Sequence, residues 1–379
     1  MKVDVLVIGG GITGCALAYF LAKAGVRITV AEQYDLNTQG SGSNAGSIHA
    51  QLDHHIFADG REAEVETIAP IVPILMAGIE FWKKLEKELE QDFELEIIGG
   101  LLVTDRPEQM LTIERKVAFE RSIGLDVDVV SASDIRHIAP YISERMVGGA
   151  FCPIEGEANA LVVTPALARA AMQHGANILT STRISGLIRS ATGFTAETSR
   201  GPMTAQTIVN CAGADGGEIS RMLGVDLPIF GEPIQVSVTE PAAPLVHHLV
   251  YYAAGRLTLK QTKRGALIIG GGWPSRYDAA GRLMLRAESV RDNLRICQLV
   301  VPKAGSVRVI RTWPAVVNDT QDALPILGEV PGTPGYFVAS FPRMGFTGGP
   351  ISASIIANMI LGRPQNIDVS AFSPTRFLN

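Results

Sequence analysis

Gly9, Gly11 and Gly14 fall at the spacing G-x-G-x-x-G within Gly9-Gly10-Gly11-Ile12-Thr13-Gly14, and an acid, Glu32, follows the next apolar run. That combination binds dinucleotides. Gly9 permits a tight turn, Gly11 lets a pyrophosphate approach the backbone, and Gly14 lets a helix pack closely on a strand. The N–H groups at the helix start, around Ile12 and Thr13, would meet the phosphates with a partial positive charge. Glu32, with Gln33 beside it, can accept both hydroxyls of an adenosine ribose and would repel a 2′-phosphate, which disfavours NADP. Metal chemistry has weaker support. His247-His248 has no further ligand spacing, and Cys15, Cys152, Cys211 and Cys297 are far apart with no C-x-x-C pair, so neither a disulfide framework nor a self-contained zinc or iron–sulfur site is indicated.

The elements that must position these residues can be read beside them. Residues 3–8 are a short β-branched run that predicts a strand buried on both faces. Ala16, Leu17, Phe20 and Leu21 recur at helical spacing until Gly25, and residues 27–31 make a second strand, completing a βαβ unit. The small-residue loop 37–47, with Ser43, Asn44, Gly46 and Ser47, can run its backbone against a flat ring or a diphosphate. An NAD dehydrogenase would usually continue into its next βα unit here, so the loop favours FAD. Residues 176–188, 207–212 and 335–339 read as strands returning to the same domain. The last leads through Arg343, Gly345, Phe346 and Thr347 into an apolar helix over 351–361, whose start would face the flavin pyrimidine carbonyl and stabilise the reduced ring.

The 379 residues suit two domains or one elaborated α/β domain. Apolar residues make up 46% and charged residues 19%, which excludes disorder, collagen-like repeats and a coiled coil. A formal charge of -5 without a polybasic run gives no electrostatic reason to expect nucleic acid or an anionic membrane surface. No uninterrupted apolar run approaches the roughly 20 residues of a membrane-spanning helix. The first apolar stretch is broken by Asp4 and the glycines, so it reads as folded structure rather than a signal peptide. A cytoplasmic protein is expected.

The glycine-rich start, the SNAGS loop, VNCAGA at 209–214, RTWPAVVNDTQDALPILG at 311–328 and the last glycine-rich helix start resemble the D-amino-acid oxidase/glycine oxidase family of FAD enzymes over nearly the whole chain. GSNAGSIHAQL (42–52), LKQT (259–262) and LIIGGGWP (267–274) are similar, more narrowly, to β subunits of heteromeric opine oxidases, also called opine dehydrogenases. The resemblance implies an α/β fold, a Rossmann-like FAD-binding domain with an inserted α+β substrate domain. The expected limits are 1–75, 145–227 and 320–379 for the first domain, and 76–144 and 228–319 for the second. It further implies that Gly9, Gly11, Gly14 and Glu32 hold the ADP half. Ser43, Asn44, Gly46 and Ser47 would lie beside the diphosphate or flavin, Ile184 at the adenine, Ala212 and Gly213 at the adenosine–diphosphate turn, and Gly345, Phe346 and Thr347 at the flavin.

Helices are expected at 80–91 and 115–124, and a sheet over 228–238 and 250–273 with its strands separated by Pro and Gly at 231–244. Alternation in residues 256–261 puts Thr258 and Lys260 on one face, toward a substrate cavity if this sheet roofs the flavin. The family pattern W-x-G-x-R-P supplies an arginine for the substrate carboxylate, but this chain reads Trp313-Pro314-Ala315-Val316-Val317-Asn318. Arg343, which matches another family arginine, becomes the best remaining clamp. That favours a bulkier secondary amine over a plain α-amino acid. His49 and Gln51 follow the flavin loop and could reach the ring's edge. Tyr251 and Tyr252 could close the pocket, and of the two Tyr252 is the candidate site residue.

The implied reaction is FAD-dependent oxidation of the carbon–nitrogen bond of an opine to an imine, which water hydrolyses to an amino acid and a 2-oxo acid. The implied assembly adds an α subunit and a small iron–sulfur subunit, and some relatives hold FMN at a subunit interface. No cysteine follows Cys297, which argues against a cysteinyl-flavin link near the C-terminal segment. The competing expectations are a D-hydroxyproline or proline dehydrogenase subunit, a stand-alone D-amino-acid or glycine oxidase, and a structural FAD-binding subunit.

Overall fold

The computed structural model describes residues 1–57 and 61–378. Val5, Leu6 and Val7 are covered from both sides, as a strand inside a parallel sheet must be. Their strand, Lys2–Ile8, pairs in parallel with Met203–Asn210 on one side and with Ile28–Ala31 on the other. Ile28–Ala31 pairs in turn with Asn177–Leu179. The far side of Met203–Asn210 is shared. Its first residues hold the hairpin Ile184–Ser190/Gly193–Thr198, and its last hold Tyr336–Ser340, which is followed outward by Ile326–Glu329. The expected strand over 176–188 is therefore two strands, broken where Ser181 takes a left-handed φ of +50°.

The helices Ile12–Lys23, Ile71–Leu89, Ala160–Gln173 and Gly345–Ile360 pack together on one face of this sheet. Ile71–Leu89 buries Ile71, Ile74, Leu75, Ile79 and Trp82 there. It belongs to the stretch Ala63–Leu89, the one stretch among the described residues long and apolar enough to cross a bilayer, and its apolar side is occupied by this core. Gly345–Ile360 begins six residues before the expected start. Pro350 lies inside it, where the missing N–H costs one hydrogen bond of the ladder without ending the helix.

A second eight-stranded sheet runs, in spatial order, Val309–Thr320, Ile229–Pro241, Ala266–Pro274, Thr258–Gln261, Leu249–Tyr252, Gly100–Thr104, Gly148–Cys152 and Asp128–Ser131. Neighbours are antiparallel except Leu249–Tyr252 and Gly100–Thr104. Ile229–Pro241 is one strand through Gly231 and Pro233 rather than two separated by them. Two elements lie across the expected domain limits. The step between 75 and 76 falls inside Ile71–Leu89, and Gly148–Cys152, expected in the first domain, pairs within the second sheet. One face of this sheet packs Leu101, Val103, Val250, Tyr252 and Leu259 into a core covered by helix Ala287–Val300.

Candidate active site

The turn from the first strand into the first helix needs its glycines. Gly9 has φ +104°, and a Cβ there would lie 2.4 Å from Cys211 O; a Cβ at Gly14 would lie 2.0 Å from Gly9 O. With Gly11 as N-cap, no side chain caps the helix in the ordinary way. Instead the Ile12 N–H donates to Ser41 Oγ at 2.9 Å, which draws the small-residue segment onto the helix start. That segment is not a plain loop, since Gly40–Ser43 makes one helical turn. Asn44 holds it together, donating through Nδ2 to Ser41 O at 2.6 Å and accepting the Gly46 N–H at 2.6 Å. Trp313 Nε1 donates to Ser43 O at 2.9 Å and ties the edge of the second sheet to it.

A cleft of ≈ 520 Å³ runs along these parts. Of the expected cofactor residues, Gly9, Gly11, Ile12, Thr13, Glu32, Gln33, Asn44, Ile184, Ala212, Gly213, Gly345 and Phe346 line it. Gly14, Ser43, Gly46, Ser47 and Thr347 do not. Gly14 lies buried against Gly9, and Ser47 sits in a small strand opposite Glu157. Glu32 is buried, its Oε2 accepting the Gly10 N–H at 2.7 Å and its Oε1 the Tyr34 N–H at 2.8 Å. Two helix starts thus open on one cleft with a buried carboxylate at the end of the second strand, and that donor set fits an adenine dinucleotide. The helix starts are packed on each other, for a Cβ at Gly349 would lie 2.8 Å from Thr13 Oγ1.

The expected substrate residues divide. The pairing Tyr251↔Thr258 and the alternation along each strand put Tyr251, Thr258 and Lys260 on one face of the second sheet, as expected for Thr258 and Lys260. Tyr252 points the other way, into the helix-covered core, where it donates to Asp105 Oδ1 at 2.6 Å, so the tyrosine on the site's side is Tyr251. Lys260 is buried, and a Cβ at Gly46 would lie 2.9 Å from its Nζ. Its ammonium is 3.3 Å from Glu157 Oε2; burial pushes the Lys260 pKa down and that of Glu157 up. Arg343 lines the cleft, but it is not the free clamp that its position suggests. Its Nε donates to the buried Asp319 at 2.7 Å and Glu232 lies 3.6 Å away, so its charge is already matched.

Between the two sheets lies a layer of buried polar side chains that sequence reasoning mostly missed. His49 donates its backbone N–H to Thr347 Oγ1 at 2.9 Å, and its Nδ1 is 2.7 Å from the Tyr251 hydroxyl. Tyr251 reaches Glu155 Oε2 at 3.1 Å. Glu155 also accepts from the backbone of Ala50 and Gln51 and from the Gln51 amide. Lys116 Nζ donates to Gln51 Oε1 at 3.0 Å and to Glu120 Oε2 at 2.7 Å, with Lys116 and Glu120 both fully buried. Burial lowers the pKa of His49 and raises that of Glu120 and of Tyr251. Lys116 and Glu120 stand at i,i+4 on the helix expected over 115–124, a spacing that by itself does not distinguish a buried pair from a surface one.

An α/β chain whose glycine turn, buried acid and paired helix starts share one cleft belongs to the dinucleotide-binding class. More narrowly, residues 4–359 match the family model of the FAD-dependent oxidoreductases described as DAO, and the chain belongs to that family. As a member it is an FAD-dependent oxidoreductase. Among relatives, a glycine oxidase of Geobacillus kaustophilus is 24% identical, covering 100% of this chain and 98% of that protein. The beta chain of the sarcosine oxidase of Rhizobium meliloti is 26% identical over 99% and 88%. One of the subunits of the opine oxidase of Agrobacterium tumefaciens is 25% identical over 99% and 98%. The crystal structure of the Geobacillus glycine oxidase superposes with a TM-score of 0.87 over 100% of both chains, at 24% identity.

Proposed function

We propose that this chain oxidises the carbon–nitrogen bond of a secondary-amine amino acid of the opine type, as the catalytic subunit of a hetero-oligomer. The observation that carries the reading is the polar face of Tyr251, Thr258 and the buried Lys260, with the Lys260 ammonium against Gly46 of the small-residue segment. FAD, when bound, supplies the hydride acceptor. Gly11, Ile12 and Thr13 would hold its diphosphate, Glu32 its ribose, Ile184 its adenine, and Gly345 and Phe346 its ring end. Lys260, paired with Glu157 at 3.3 Å, supplies positive charge on this face for a substrate carboxylate, and Thr258 orients the amine by hydrogen bonding. The departure at Trp313-Pro314-Ala315, where the family's carboxylate arginine is missing, favours a substrate larger than glycine.

Relatives that are themselves named as single subunits of a sarcosine oxidase and an opine oxidase support partner subunits. In this reading an α subunit and a small iron–sulfur subunit complete the enzyme, and a subunit interface is where FMN, held there by some members of the resembled group, would sit. Four buried free cysteines suit a reducing, cytoplasmic setting. The test is anaerobic mixing of the FAD-loaded chain with secondary-amine dicarboxylates, reading the flavin band near about 450 nm. Bleaching by these compounds and not by glycine or sarcosine supports the reading. Equal bleaching by simple amino acids would make it a stand-alone oxidase, and no bleaching by any amine would make it a structural FAD-binding subunit.

A further inference from the structure

The buried chain from Glu155 through Tyr251 to His49 has a proton order that its geometry dictates. Glu155 Oε1 accepts the N–H groups of Ala50 and Gln51, and Oε2 accepts the Gln51 side-chain amide at 2.8 Å. A carboxylate so placed has lone pairs and no proton to give. The Tyr251 hydroxyl, 3.1 Å from Oε2, therefore directs its one proton to Glu155. Its oxygen is then an acceptor, and the group 2.7 Å from it is His49 Nδ1, which must carry the ring proton. A neutral imidazole has only one N–H, so Nε2 keeps its lone pair. Among the described residues no hydrogen bond is made to Nε2.

The surroundings keep the ring neutral. Burial lowers the His49 pKa, with the Glu155 carboxylate opposing and the Lys260 ammonium adding to it. The groups facing His49 are Tyr251 and Lys260 from the second sheet, Glu155 from the turn before Gly156–Glu157, and Thr347 from the first turn of helix Gly345–Ile360. Behind them Lys260 is matched by Glu157, and Gln51 links Glu155 to the Lys116–Glu120 pair. Because its N–H is fixed on Thr347, His49 stands at the seam between the small-residue segment and the helix start that opens on the cleft.

We propose that His49 Nε2 is the proton acceptor for the substrate's ammonium, and that Tyr251 and Glu155 are positioning residues that hold His49 as the Nδ1–H tautomer. The assignment rests on the amine oxidation proposed above. The ammonium N–H bond breaks, its proton forms a bond to Nε2, and the electron pair stays on the substrate nitrogen, giving the free amine that the oxidation requires. The imidazolium that results is stabilised by Glu155 through the Tyr251 hydroxyl, as a carboxylate supports the histidine of a hydrolase triad.

Two measurements test it. In nitrogen-15 spectra of the histidine-labelled protein without FAD or substrate, His49 is expected as the Nδ1–H tautomer, and Tyr251→Phe is expected to release it to a mixture. An Nε2–H tautomer in the unaltered protein overturns the proposal. In the FAD-loaded protein, His49→Gln is expected to slow anaerobic reduction by a secondary amine about 100-fold at neutral pH. The deficit should close as the pH approaches the pKa of the amine, where substrate arrives already deprotonated. Tyr251→Phe, which removes only a hydroxyl, should give a smaller loss of the same shape. A deficit that is the same at every pH, with normal reduction of the unaltered protein, overturns the proposal alone. No reduction of the unaltered protein by any amine overturns the amine reading and the proposal with it.

Discussion

At the nucleotide cleft the groups offered to a ligand are mostly main-chain: N–H groups at two helix starts, a turn without side chains, and one carboxylate whose oxygens already rest on backbone N–H groups. In the layer between the sheets they are side chains, brought by segments around residues 49, 116, 155, 251 and 260. The first is made of a few short stretches, each with its own local signal such as the glycine turn. Its ligand geometry tolerates change in most side chains. The second is assembled from distant parts, carries ionised groups out of water, and depends on every member being paired. Changes in the layer should therefore cost folding stability, and changes in the cleft should cost cofactor retention.

The largest effect is expected from Lys116→Met, which leaves Glu120 buried without its cation. Chemical unfolding should show a loss of about 3 kcal/mol, and Lys116→Met combined with Glu120→Leu should recover most of it. A loss below about 1 kcal/mol would mean the layer is wetter than its burial indicates. Next, Glu32→Ala should weaken FAD retention about 10- to 100-fold, measured by titration of the apoprotein, with unfolding less affected than for Lys116→Met. Unchanged affinity would remove the ribose role and with it half of the contrast. Arg343→Ala strips the buried Asp319 of its partner and should cost about 1–2 kcal/mol of stability while leaving kcat/KM within a few-fold of the unaltered enzyme. A fall of kcat/KM equivalent to about 2 kcal/mol would restore Arg343 as a carboxylate clamp.

The smallest effect concerns acid. Burial holds His54, at the end of the segment that carries the layer, at a pKa of about 4 against 6.5 when exposed. Between those values the unfolded chain takes up a proton that the folded chain refuses, so stability should fall as the pH drops from 6.5 toward 4. His54→Asn should flatten that part of the curve by on the order of 1 kcal/mol, read from melts at about pH 7 and about pH 5.

The cleft was legible because its physics is written in adjacent residues. Only glycine satisfies Gly9 and Gly14, and Glu32 must end the second strand. Strand alternation put Thr258 and Lys260 on one face of the sheet for the same reason. Tyr251 and Tyr252 were beyond it, because adjacent residues face opposite ways and only pairing decides which way is inward. Glu155 gave no local signal, since its partners lie 96 and 104 positions away. The pairing of Arg343 was hidden because Asp319, its partner, is 24 positions distant and comes beside it only when Val309–Thr320 runs up to the last helix.

One contact fixes how the two helix starts at the cleft can move. With Thr13 and Gly349 in near contact, the first and last long helices share a joint at their openings. The two helix starts are thereby held at a set spacing, and a bulky residue at 349 would pry both apart together instead of loosening either alone.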